Sequence, residues 1–237
     1  VIEGHPGITG DADLDETHGW EGPIAMIEVT LVADAGNVHE YTVALANLAD
    51  GQPFSPPVVA THGPRFVLQG QGVAARSVVE LIAENGDQSA AYEWLSGRKR
   101  VTDAVDVGRP LTRAGTVVGD FTDSVVFSIT ARSGDQLSLA TMLICTNDGL
   151  VLADRLALPR SGSVTYYLFG WDAGTELNTE LSEDIVDPCS ALGPDGLDGD
   201  PNGNHNDGVD TDGFVAPHPG IGGSGDLGHA HAWSEPV

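Results

Sequence analysis

Apolar and polar residues alternate along much of this chain with the period of two that sets successive side chains on opposite faces of a strand. The pattern is clearest over residues 24–32 and in Tyr41-Thr-Val-Ala-Leu-Ala-Asn47. Between them, Asp34-Ala-Gly-Asn37 supplies the turn chemistry of a hairpin. Further strands are expected at 58–60, 67–69, 101–107, 124–131, 136–145 and 164–168. The period changes at Val73, Val78, Val79, Leu81 and Ile82, in a stretch free of Pro and Gly that Asn85-Gly86 closes. That spacing predicts a helix, and residues 90–94 form a candidate second helical turn. Many short strands, Gly-rich turns and one or two short helices point to an all-β chain, an antiparallel β-sandwich.

Two segments stand outside this pattern. Residues 189–213 are rich in Asp, Asn and Gly and can bury no core. Within them Asp198, Asp200, Asn202 and Asn204 place oxygen ligands at alternate positions, with Gly203 at the sixth. Such spacing can wrap a loop around one hard cation, although Val209 stands where a bidentate Glu would complete an EF-hand loop. A solvated acidic loop explains the same residues equally well. The chain ends also repeat. His5-Pro6-Gly7-Ile8 returns as His218-Pro219-Gly220-Ile221, and the match continues through Trp20 and Trp233 at a constant offset of 213 residues. After the first copy comes the apolar strand 24–32; after the second the sequence stops at Val237. The expected division is therefore 1–23 as the repeat or linker and 24–237 as one sandwich. Ile24, Met26, Ile27, Val29 and Leu31 would then complete a neighbouring copy or the next domain of a tandem array, giving a homopolymer or filament.

Charge narrows the function. Against 35 acidic residues stand 10 basic ones, of which only Lys99 is a lysine, for a net charge of -25. This disfavours nucleic acid and anionic membranes as partners. Acids spread over the whole chain suit a haloadapted, halophilic surface, so only a few carboxylates are expected to be ligands. No apolar run is long enough for a membrane span. Cys145 and Cys189 are compatible with one disulfide or with two small buried side chains. His218, His229 and His231 could meet at a transition metal, but two of the three recur at His5 and His18, which suits a structural motif better. No nucleophile elbow, zinc-protease helix or phosphate loop is present, so no enzyme is expected.

Cys145-Thr-Asn-Asp148-Gly-Leu150 and Trp171-Asp172-Ala-Gly-Thr-Glu176 resemble the paired signatures of the spondin N-terminal domain, a family of extracellular matrix and bacterial secreted proteins. Ser55-Pro-Pro57, Thr61-His62, Ala83-Glu84-Asn-Gly-Asp87 and the closing His218-Pro-Gly-Ile221 look like its other landmarks, so the resemblance covers about residues 40–237. It implies a C2-like or jelly-roll sandwich holding Ca2+ at one end, with the site carried onto Asp148, Asp172 and Glu176. Glu176 departs from the Asp of animal members, and the longer carboxylate can still reach the ion. The resemblance further implies a secreted, extracellular or cell-surface module for cell adhesion, with itself, extracellular matrix or a glycan as partner. A secreted glycan-binding or glycan-hydrolysing domain is the alternative.

Overall fold

A computed structural model describes residues 23–194, 213–218, 220–221 and 225–231 of the 237. The 1–23 repeat copy up to residue 22, Trp233, and the loop ligands Asp198, Asp200, Asn202 and Asn204 lie outside the described residues.

The chain is an antiparallel β-sandwich. One sheet orders its four strands β10-β1-β2-β7, where β1 is Ala25–Asp34, β2 Val38–Asn47, β7 Ser124–Arg132 and β10 Ser163–Leu168. The other orders six as β12-β11-β9-β8-β3-β4, with β3 Val58–His62, β4 Val101–Asp106, β8 Gln136–Met142, β9 Gly149–Ala157, β11 Gly170–Asp172 and β12 Ala216–Pro217. A short ribbon pairs β5 (Val117–Val118) with β6 (Phe121–Thr122). Helices α1 (Ser77–Asn85) and α2 (Ser89–Ser96) pack on the six-stranded sheet, and a five-residue α3 (Pro188–Leu192) follows later.

The alternation read from the sequence has its cause here. β1 and β2 bury every other residue because one face meets the core and the other meets water. Ile24, Ile27, Val29, Val43 and Leu45 are fully buried against residues of the opposite sheet such as Val59, Leu137 and Leu139. β3 and the first half of β9 are buried at every position, because α1 and α2 cover the sheet's second face. A strand buried on both faces shows no period of two.

Three expectations are corrected. The strand expected at 67–69 does not form: the Leu68 N–H is taken by the Asp154 carboxylate at 2.8 Å rather than by a neighbouring strand. The helix begins at Ser77 and not Val73, because Gly72 N–H and Val73 C=O bond the main chain of Val215 at 2.9 and 3.1 Å. The strand proposed for donation is β1, and this chain already uses it. Ile24 caps its edge, and Met26, Ile27, Val29 and Leu31 lie between β10 and β2, with Met26 opposite Tyr167 and Ala46. Strand donation would require an internal strand to be withdrawn from its own core.

Candidate metal centre

Four segments converge at the end of the six-stranded sheet where β8 turns into β9. The turn 143–149 closes tightly: Leu143 N–H donates to Gly149 C=O at 2.8 Å, and Thr146 Oγ1 donates to Leu143 C=O at 2.6 Å while accepting Gly149 N–H at 2.9 Å. Gln52, fully buried, holds the same turn from behind, taking Cys145 N–H and giving hydrogen bonds to the carbonyls of Cys145 and His231. Cys145 and Cys189 form a disulfide, anchoring α3 beside the turn.

Asp148 projects from this turn, and register brings Asp172 beside it, since Asp172 at the end of β11 pairs with Gly149. After Asp172 the chain bends through Gly174, whose φ of 71° lies in the left-handed region, and Gly174 N–H donates to Asp172 Oδ1 at 2.7 Å. The bend turns the next two N–H groups inward. Thr175 N–H and Glu176 N–H donate to Asp148 Oδ2 at 2.7 and 3.1 Å, and Thr175 Oγ1 adds a third bond at 3.2 Å. Asn178 Nδ2 donates to Asp172 Oδ2 at 2.7 Å. Thus Asp148, Asp172 and Glu176 lie on adjoining segments, all three buried, although their carboxylate oxygens do not all lie within 4.8 Å of one another.

Two oxygens in this cluster are bare. Asp148 Oδ1 and Glu176 Oε2 are inaccessible to water and have no hydrogen-bond partner among the described residues. A buried carboxylate oxygen without a donor costs several kcal/mol unless it is protonated or meets a cation. Burial, followed by the charge of Asp172, pushes the Asp148 carboxyl up to about 7 despite the opposing pull of its hydrogen bonds to Thr175 and Glu176. Burial, then Glu84, Asp148 and Asp184, pushes Glu176 up to about 9. The charged groups acting on both are all carboxylates.

Further carboxylates surround this core. Glu84 is half-buried in the last turn of α1, where the helix dipole disfavours an anion and no basic residue compensates. Its carboxyl is raised, by burial first and by Glu80. Asp184 accepts from Thr179 Oγ1 at 2.6 Å, and Asn147 ties in by taking Glu180 N–H at 3.1 Å. Sequence reasoning did not single out Glu84 or Asp184 as site residues. The signal for Glu84 was an acid closing a helix without a basic partner; Asp184 carried none.

The C-terminal motif braces the site from outside. β12 pairs with β11 through Ala216 opposite Asp172, and a side chain at Gly149 would strike the His218 ring at 2.9 Å. His231 lies beside the disulfide, its ring within 4.8 Å of both sulfurs. Gly228 N–H donates to His231 Nδ1 at 3.1 Å, and Gly220 N–H donates to His218 Nδ1 at 2.9 Å. In each neutral ring the proton then sits on Nε2, so no lone pair is left there for a metal. With the cysteines oxidised as well, this group serves packing and not coordination.

No family model matches this chain, and no curated protein matches it.

Proposed function

We propose that this protein is a calcium-binding structural module, in which Asp148, Asp172 and Glu176 hold one ion and thereby lock the turn 143–149, the bend after β11 and the C-terminal motif into one unit. The observation that carries this is the pair of buried, donorless oxygens, Asp148 Oδ1 and Glu176 Oε2, on facing segments. An all-oxygen, carboxylate-rich donor set suits a hard cation such as Ca2+ and not a soft one. The resemblance to the spondin N-terminal domain, in Cys145–Leu150 and Trp171–Glu176, supports the same ion and an adhesive role outside the cell. The disulfide fits an oxidising compartment, and no described helix is long and apolar enough to cross a membrane. β1 pairs within its own sheet, which argues against its donation to a neighbour.

The test is thermal unfolding with and without calcium. At a calcium concentration about a hundredfold above Kd, binding adds about 2.7 kcal/mol. For a chain of this size that raises Tm by roughly 5–10 °C. Asp172→Asn should remove most of the gain, and an identical Tm in calcium and in chelator would refute the proposal.

A further inference from the structure

A cleft of about 490 Å3 opens beside Trp171, within the roughly 300–1,000 Å3 usual for small-ligand pockets. Topology creates it. β10 belongs to the four-stranded sheet, but at Phe169 the chain crosses to the six-stranded sheet, where β11 pairs with β9 only over Gly149–Val151. Beyond Val151 no described strand pairs with the outer edge of β9. Trp171 and Leu168 form the inner wall. Tyr167 and Phe169 stand at the rim with 57% and 37% of their surface exposed.

Arg155 also lines the cleft, and its backbone is held where side chains seldom go. Its φ is 61°, one of two positive values at a non-glycine among the described residues. The cause is a bulge: Leu137 pairs with Leu156 and Leu139 with Ala153, so two residues of β9 face Ser138 alone. A buried polar network fixes it. Ser138 Oγ takes Arg155 N–H at 3.0 Å and donates to Asp154 Oδ1 at 3.1 Å, and His62 Nε2 lies 2.7 Å from the same hydroxyl. Asp154 Oδ2 accepts Arg155 Nε at 2.9 Å, setting the plane of the guanidinium. Its terminal nitrogens make no hydrogen bond or ion pair among the described residues.

We propose that this cleft binds a neutral saccharide, with Tyr167 and Phe169 stacking on the apolar face of a pyranose ring and the Asp154–Arg155 pair gripping neighbouring hydroxyls. Each sugar hydroxyl both donates and accepts, so a carboxylate and a guanidinium fixed side by side match a vicinal pair. The amide of Gln71, also lining the cleft, offers a further donor and acceptor. The pair is neutral as a unit, and a chain of net charge -25 repels anionic glycans, which selects against acidic sugars. Anchoring to a neutral polysaccharide would give the adhesive module its surface; the cleft adjoins the carboxylate cluster through Trp171, next to Asp172 on β11.

The experiment is calorimetric titration of the whole chain with cellohexaose, mannohexaose, xylohexaose and laminarihexaose, with an acidic galacturonic hexamer as the contrasting arm. At least one neutral sugar should bind. Tyr167→Ala, a change at the exposed rim, should weaken it roughly tenfold. Arg155→Gly separates binding from folding: glycine is at home at positive φ, so Tm should hold or rise while affinity falls. The proposal is overturned if no neutral hexasaccharide binds up to about 10 mM, if the acidic hexamer binds better, or if neither variant changes affinity.

Discussion

One oxygen of Asp148 takes three donors and the other takes none, and this asymmetry sets the behaviour of the site at the scale of single residues. The bonded oxygen fixes the carboxylate's orientation; the bare one is held toward whatever neutralises it. Under the proposed calcium site, protons and the ion would compete for these oxygens. Asp148 and Glu176 sit above their ordinary values of 3.8 and 4.5, at about 7 and about 9. Between those limits the folded, cation-free chain retains protons that the unfolded chain has released. Its stability is thus greatest at acid pH, as far as these two groups decide it, and falls as pH rises through about 7 and then about 9. In chelator, Tm should decline from pH 5 toward pH 8.5; in saturating calcium the decline should disappear, because the ion replaces the protons. Tm curves over that range decide it, and a chelated chain that gains stability with rising pH would contradict the burial of these groups.

At the scale of elements, the site depends on how closely three turns are packed. A methyl group on Gly149 would meet Thr146 Oγ1 at 2.5 Å and the His218 ring at 2.9 Å. Gly149→Ala should therefore cost about 1–3 kcal/mol and weaken calcium binding through the displaced Asp148 next to it; urea unfolding and a calcium titration measure the two effects. Opening the Cys145–Cys189 disulfide frees a segment of 44 residues that encloses β9, β10 and β11. Reduction should cost about 2–4 kcal/mol, with calcium affinity falling in step. An unchanged affinity would show that α3 does not hold the turn.

The same packing explains what the sequence made legible. The β1–β2 hairpin could be read because only one of its faces is buried. Gly149–Ala157 escaped notice as a strand because its first five residues are all buried, which erases alternation. Gly170–Asp172 is too short to show any period, yet it carries Asp172. The resemblance pointed to Asp148, Asp172 and Glu176 through local wording, and the fold sets these three on adjoining segments. Glu84 joins them only because α1 packs on β8 and β9, a contact between residues far apart in sequence. Arg155 could not be anticipated either, since its bulge arises from the register between two strands.

On the scale of the whole molecule, acidity and topology act together. Among the described residues Asp154–Arg155 is the ion pair between permanently charged side chains, in a sequence of 10 basic residues and 35 acids. Raising KCl should screen their repulsion and increase Tm in the chelated protein; a fall in Tm with salt would argue against a haloadapted surface. β1 bridges β10 and β2, so a chain beginning after Asp34 should lose its near-ultraviolet circular dichroism and fail to unfold cooperatively. Retained cooperativity would mean that another segment can fill the sheet.

The central claim, that buried carboxylates on separate turns share one calcium ion, is tested most directly by calorimetric titration of the chelator-stripped chain with CaCl2 near pH 7 in two buffers of different ionisation enthalpy. The account predicts saturable binding accompanied by proton release, lost in an Asp148→Asn, Glu176→Gln double variant that still folds. Calcium binding of equal strength in that variant, or none in the native chain, would contradict it.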